Sequence, residues 1–160
     1  MEEWVEIAKE MLCGLLQRMG IETEVEGYLR EGEVYLEIKS DDEGILIGKH
    51  GRTLESLQIL ISRMVNKRLK EPVRVALDVA QYKKRRADSL AKMANRLGEN
   101  AKRTGKEITV GPFNVHDRRI IHVTVKEDPA LKTESLGEGE MKMIKIIPMR
   151  KEGETTEPLG

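Results

Sequence analysis

Cysteine is nearly absent from this chain. One residue, Cys13, stands among 160, so no disulfide can form within it, and a reducing cytoplasm is the expected compartment. Cys13 falls inside the first helical pattern, where it is expected to pack rather than react. No apolar run approaches the roughly 18 residues of a membrane-spanning helix, so no membrane insertion is expected. The first residues, Met1-Glu2-Glu3-Trp4, are acidic where a secretory signal would be basic. Aromatic residues number five: one Trp, three Tyr and one Phe. That scarcity limits any mechanism built on stacking nucleobases against aromatic rings.

Net charge is also absent, but only as a sum. Residues 1–47 carry 13 acidic and 4 basic side chains, a balance of −9. Residues 48–106 carry 5 and 16, a balance of +11, and residues 107–160 carry 10 and 8. A basic middle on an otherwise acidic chain is the electrostatic footprint of a polyanion binder. With 39% apolar and 35% charged residues, the chain reads as folded with a highly charged surface. Its length suffices for one domain or two small ones.

The basic stretch opens on Ile47-Gly48-Lys49-His50-Gly51-Arg52. Two glycines three apart allow a sharp turn and bring backbone N–H groups close to a ligand. Amides of the loop, and of the helix expected to start near Arg52, would face an anion that the helix dipole favours. Lys49, His50 and Arg52 add charge, while Ile45, Ile47 and Leu54 would flank a groove. Gly44 to Lys49 also resembles a nucleotide phosphate loop. It is one residue too short between its glycines, and His50 stands where a magnesium-binding hydroxyl is needed, so nucleotide hydrolysis is excluded.

Hydrophobic spacing places the loop between helices. Residues 3–19 read as a helix with Trp4, Ile7, Met11, Leu12, Leu15 and Met19 on one stripe. Residues 23–29 and 33–39 read as a hairpin turning at Arg30-Glu31-Gly32. Ser40 and Glu43 have capping-box spacing, opening a short helix through Ile47. A helix over 52–70 follows, then a strand over 73–79. Residues 82–104 form a basic helix. The segment from Gln81 to Lys106 holds nine Lys or Arg and two acids, with Lys83, Lys84, Arg85 and Arg86 at its start, and is expected to add a supporting basic surface. A short strand over 106–110 precedes residues 115–126. Asn114 as cap and Asp117 in the first turn favour a helix there, and the β-branched run Ile120–Val125 keeps a strand open as the alternative. Residues 135–140 read as a turn, 143–147 as a last strand, and 149–160 as a disordered polar tail.

Arg118 and His122 lie four apart, hence on one face of a helix or of a strand. Spacing leaves two readings: a small exposed patch, with Arg119 beside it, that grips phosphate or a base edge, or a structural arrangement in which Arg118 pairs with a carboxylate such as Asp117 and His122 caps or packs. Three histidines and one cysteine make no recognised metal-ligand spacing. No nucleophile stands out, so neither catalytic residues nor cofactors are expected.

The order helix, strand, strand, helix, GXXG, helix, strand resembles a type II KH module, which clamps a sugar–phosphate backbone. Asn114-Val115-His116-Asp117-Arg118-Arg119-Ile120-Ile121-His122 resembles the signature of the R-x-x-x-H nucleic-acid-binding domain. The run from Lys132 to Gly139 is similar as well. Together, over about residues 1–148, they resemble the bacterial SpoIIIJ-associated family, Jag or KhpB. The resemblance implies an α+β chain with a KH-like domain at 1–80 and a small R-x-x-x-H α/β domain at 81–148. It implies no enzyme but a cytoplasmic binder of single-stranded RNA tied to cell elongation and division, and it leaves single-stranded DNA open as a ligand. The alternative is an adaptor that dimerises or holds a KH-only partner or a membrane-associated elongation factor.

Overall fold

A computed structural model describes residues 2–149. Two compact units divide between Lys84 and Arg85, a few residues beyond the sequence-based boundary at 80. The expected tail falls mainly on 150–160, outside the described residues.

The first unit runs α1 (Glu2–Arg18), β1 (Glu24–Arg30), β2 (Glu33–Lys39), α2 (Glu43–Ile47), a single 3₁₀ turn (Lys49–Gly51), α3 (Arg52–Leu69) and β3 (Arg74–Val79). This is the expected α-β-β-α-α-β order. β1 and β2 pair antiparallel around Glu31 and Gly32, whose φ angles of 52° and 80° suit a two-residue hairpin loop. β3 joins β2 in parallel, a pairing that needs the long crossover supplied by α2 and α3. Val34, Leu36 and Ile38 of β2 and Val75, Leu77 and Val79 of β3 alternate into a core closed by Leu57, Ile61 and Val65 of α3.

The stripe of α1 is rotated from its expected position. Val5, Ala8, Leu12 and Leu16 are buried, Trp4, Met11 and Leu15 are half-buried, and Met19 is exposed. The helix comes close to the sheet at Gly27 of β1, where a Cβ would stand 2.7 Å from the Val5 Cγ1. Cys13 is exposed, against expectation, because it faces away from this seam. The capping box does not form either. Asp42 caps α2 without a side-chain bond, and the Ser40 oxygen accepts from the Asp42 amide at 3.1 Å while its hydroxyl donates to the Glu22 carbonyl at 2.8 Å.

The second unit contains most of α4 (Tyr82–Thr104), then β4 (Ile108–Phe113), α5 (Val115–Lys126), β5 (Leu131–Leu136) and β6 (Lys142–Pro148). The sheet order is β4-β6-β5, antiparallel throughout. Leu90, Ala94 and Ala101 of α4, Ile121 and Val125 of α5, and Ile144 and Ile146 of β6 form its core.

Residues 115–126 are a helix, which settles the choice left open between helix and strand. The Asn114 side chain accepts from the Asp117 amide at 2.8 Å and fixes the first turn. Two strands differ from the sequence reading. β4 runs on through Pro112 to Phe113, tolerable because β4 is an edge strand with a register shift there. β5 has no counterpart in the sequence reading. Its sequence Leu-Lys-Thr-Glu-Ser-Leu has little β-branched character, and pairing along β6 holds it extended.

Candidate nucleic-acid interface

The GXXG turn holds three positive-φ residues out of four. Gly48, His50 and Gly51 have φ angles of 70°, 57° and 78°. Space as well as dihedral demands the glycines. A Cβ at Gly48 would meet the Thr53 Oγ1 at 2.2 Å, and one at Gly51 would meet the Tyr82 Cε1 at 2.8 Å. Thr53 and Tyr82 therefore wall the turn from behind. Gly48 ends α2 by donating to the Gly44 carbonyl at 2.9 Å, and Gly51 is the N-cap of α3, without a side-chain cap bond. Within the turn the Gly51 amide donates to the Gly48 carbonyl at 3.3 Å and the Arg52 amide to the Lys49 carbonyl, so what α3 offers at this end is its positive dipole.

Around the turn, Lys49 and Arg52 are exposed and His50 is half-buried. Ile45 projects, 61% exposed. Ile47 is instead half-buried against the core, and Leu54, expected beside the groove, is fully buried. Of the apolar groove residues named from sequence, Ile45 therefore offers the most surface.

The basic start of α4 is less open than its composition suggests. Lys84 is exposed. The Lys83 ammonium donates to the Gln58 Oε1 at 2.9 Å, and burial of that group lowers its pKa from the ordinary lysine value, while the Asp78 and Glu37 charges oppose the shift. Asp78 also accepts from the Lys83 amide at 3.3 Å. Arg85 is exposed but not without interactions. Arg86, expected on the basic surface, is largely withdrawn from it. Its Nη2 lies 2.7 Å from the carboxylate of Asp117, which is 2% exposed.

In the second unit, Arg118 and His122 do share a face of α5, but Arg118 is on the side that packs inward with Ile121 and Val125. The exposed patch therefore does not form at Arg118. Arg118 is 8% exposed, and its Nη1 donates to the carbonyls of Phe113 at 2.5 Å and Glu140 at 2.8 Å. A buried guanidinium is tolerable there because carbonyls receive its protons. His122 is half-buried between two β5 hydroxyls: its Nδ1 bonds Thr133 Oγ1, and its Nε2 lies 3.1 Å from Ser135 Oγ. Burial first, and the Arg118 charge second, lower the His122 pKa below the usual histidine value. The ring is thus neutral near pH 7, with one nitrogen donating and one accepting. Arg119 points outward and is exposed.

The sequence reading missed Thr53, Tyr82 and the two hydroxyls as partners, and it set Asp117 against Arg118 where the structure pairs it with Arg86. Tyr82, an isolated aromatic just ahead of a basic run, was the one visible signal. Among the described residues, no group of three or more His, Cys, Asp or Glu is placed to hold a metal ion. Among them too, no helix is long and apolar enough to cross a membrane.

Residues 5–77 match the family model for the KH domain of KhpA and KhpB, and residues 88–148 match that of the R-x-x-x-H domain, named for an Arg and a His separated by three residues. The chain belongs to the KhpB family. It is 39% identical to the RNA-binding protein KhpB of Clostridium symbiosum over 134 residues, covering 84% of this chain and 60% of that protein. It is 31% identical to Bacillus subtilis KhpB over 115 residues, covering 71% of this chain and 55% of the relative. Identity to Lactiplantibacillus plantarum KhpB is 28% over 142 residues, 89% of this chain and 44% of that protein. The chain thus spans about half the length of these curated relatives. The GXXG turn lies inside the KH match and Arg118 and His122 inside the R-x-x-x-H match, whereas Lys83, Lys84, Arg85 and Arg86 fall between the two.

Proposed function

We propose that this chain is a cytoplasmic, non-enzymatic RNA-binding protein that clamps single-stranded RNA at the Gly48–Gly51 turn. One observation carries the reading. A glycine turn walled by Thr53 and Tyr82 leaves the α3 N-terminus without a side-chain cap, with Lys49 and Arg52 exposed beside it. A phosphate group there meets the α3 dipole and the two cations together, and a KH loop clamps about four nucleotides of backbone. The face of the R-x-x-x-H unit adds a second contact. Relatives of the chain are named RNA-binding proteins, in keeping with this ligand.

The test is a double variant, Lys49→Asp with His50→Asp. Aspartate is among the residues that accept the left-handed conformation at position 50, so the fold is retained. Filter binding to single-stranded RNA then falls at least tenfold. Unchanged affinity in a folded variant would remove the turn from the site.

A second reading is favoured by a specific surface. Ile59 and Leu60 of α3 are 53% and 44% exposed, apolar area suited to a protein partner such as a KH-only chain or a second copy. Crosslinking to RNA in cells, set beside protein pull-down with an Ile59→Asp variant, separates the two.

A further inference from the structure

The outward face of α5 carries no acid. Its exposed side chains are Val115, His116, Arg119, Val123 and Lys126. The one acid of the helix, Asp117, is buried against Arg86. Val115 and Val123 are 62% and 58% exposed, among the most exposed large apolar residues described. Val115, Arg119 and Val123 are spaced four apart and form one line of about 12 Å along the helix. The helix start that presents Val115 is braced twice: by the Asn114 cap, and by Arg118 on the Phe113 carbonyl just before it.

An apolar, cationic, apolar line fits a particular chemistry. Arg119 suits a backbone phosphate, and each valine suits the flat surface of an unstacked base or the sugar beside it. A duplex hides its base faces in its own stack, so the valines select for single strands. An acidic protein surface would engage Arg119 and Lys126 but has no comparable use for the two valines.

We infer that Val115, Arg119 and Val123 form a platform for single-stranded RNA in the second unit, and that Arg118 is a positioning residue behind it. The platform deepens, and rests on, the RNA-binding reading above. Arg119 contacts phosphate, and Val115 and Val123 contact bases or sugars. On the same helix His122 is held to β5 through Ser135.

The experiment uses the full chain and two probes: a fluorescein-labelled 20-nucleotide oligouridylate and an RNA duplex of equal length. Arg119→Ala weakens oligouridylate binding about fivefold, and the magnitude of the slope of log affinity against log salt falls by about 0.7. Val115→Ser with Val123→Ser also weakens it severalfold but leaves the salt slope unchanged, and changes duplex binding less than twofold. All three positions are exposed, so the variants melt like the parent chain. If both variants bind oligouridylate like the parent while Lys49→Asp/His50→Asp loses binding, the platform is overturned and the KH site stands. If the parent chain itself binds no oligouridylate in 50 mM salt, the RNA reading falls and the platform falls with it.

Discussion

Gly51 and Tyr82 sit so close that a methyl group at position 51 would stand 2.8 Å from the tyrosine Cε1. The contact links the anion-facing turn to the first residue of the basic helix within the KH unit. It gives Gly51 two separate reasons to be glycine, the second being its φ of 78°.

Those two reasons can be measured apart. Gly51→Ala costs about 2–3 kcal/mol in urea unfolding followed by Trp4 fluorescence, combining a left-handed alanine with the ring clash. In a Tyr82→Ala background the same change costs only the dihedral part, about 1 kcal/mol. Equal costs in both backgrounds would show that the ring does not wall the turn.

The Arg86–Asp117 pair spans α4 and α5, with the carboxylate buried and the guanidinium about one-quarter exposed. Removing one partner leaves a poorly solvated charge, so Asp117→Ala destabilises the second unit by about 3 kcal/mol. Replacing the pair with Met and Leu recovers most of that loss. A cost below about 0.5 kcal/mol for the single change, measured by circular dichroism, would class the pair with surface ion pairs.

His122 makes stability depend on pH. Its folded pKa is lowered, so below the unfolded value of about 6.5 the unfolded chain binds a proton that the folded chain resists. The contribution of His122 is present above about pH 6.5 and is lost as pH falls towards the folded pKa. NMR titration places the His122 pKa below 6.5, and a His122→Gln variant flattens the decline of stability over that window. A measured value above 6.5 would contradict a neutral ring between Thr133 and Ser135.

Salt tests the electrostatic part of the proposal. Each phosphate neutralised on a single strand contributes a slope of about −0.7 to log affinity against log salt. Contacts at both units give a steep negative slope, and Lys49→Asp/His50→Asp reduces its magnitude. A flat response in the parent chain would point to a ligand other than nucleic acid.

The strand–helix–turn–helix–strand order around Gly48 and Gly51 was legible in the sequence because it rests on local signals: alternation in β2 and β3, helical spacing in α3, and glycines at left-handed positions. The Asn114 cap was legible for the same reason. β5 was not, because six residues of mixed polarity become a strand only beside β6. The Ser40 capping box failed because α2 starts two residues later, at an Asp42 cap, and the Ser40 oxygen accepts from the Asp42 amide instead of the Glu43 amide.

Residue order alone determined that Arg118 and His122 share a side of their element, since four-residue spacing does so in either a helix or a strand. It also determined that positive charge gathers after Ile47. Only the tertiary structure decided that the shared side turns towards β5 and the core, leaving Arg119 between two exposed valines to face water. Periodicity sets which side chains point together, and the direction they point depends on partners distant in the chain.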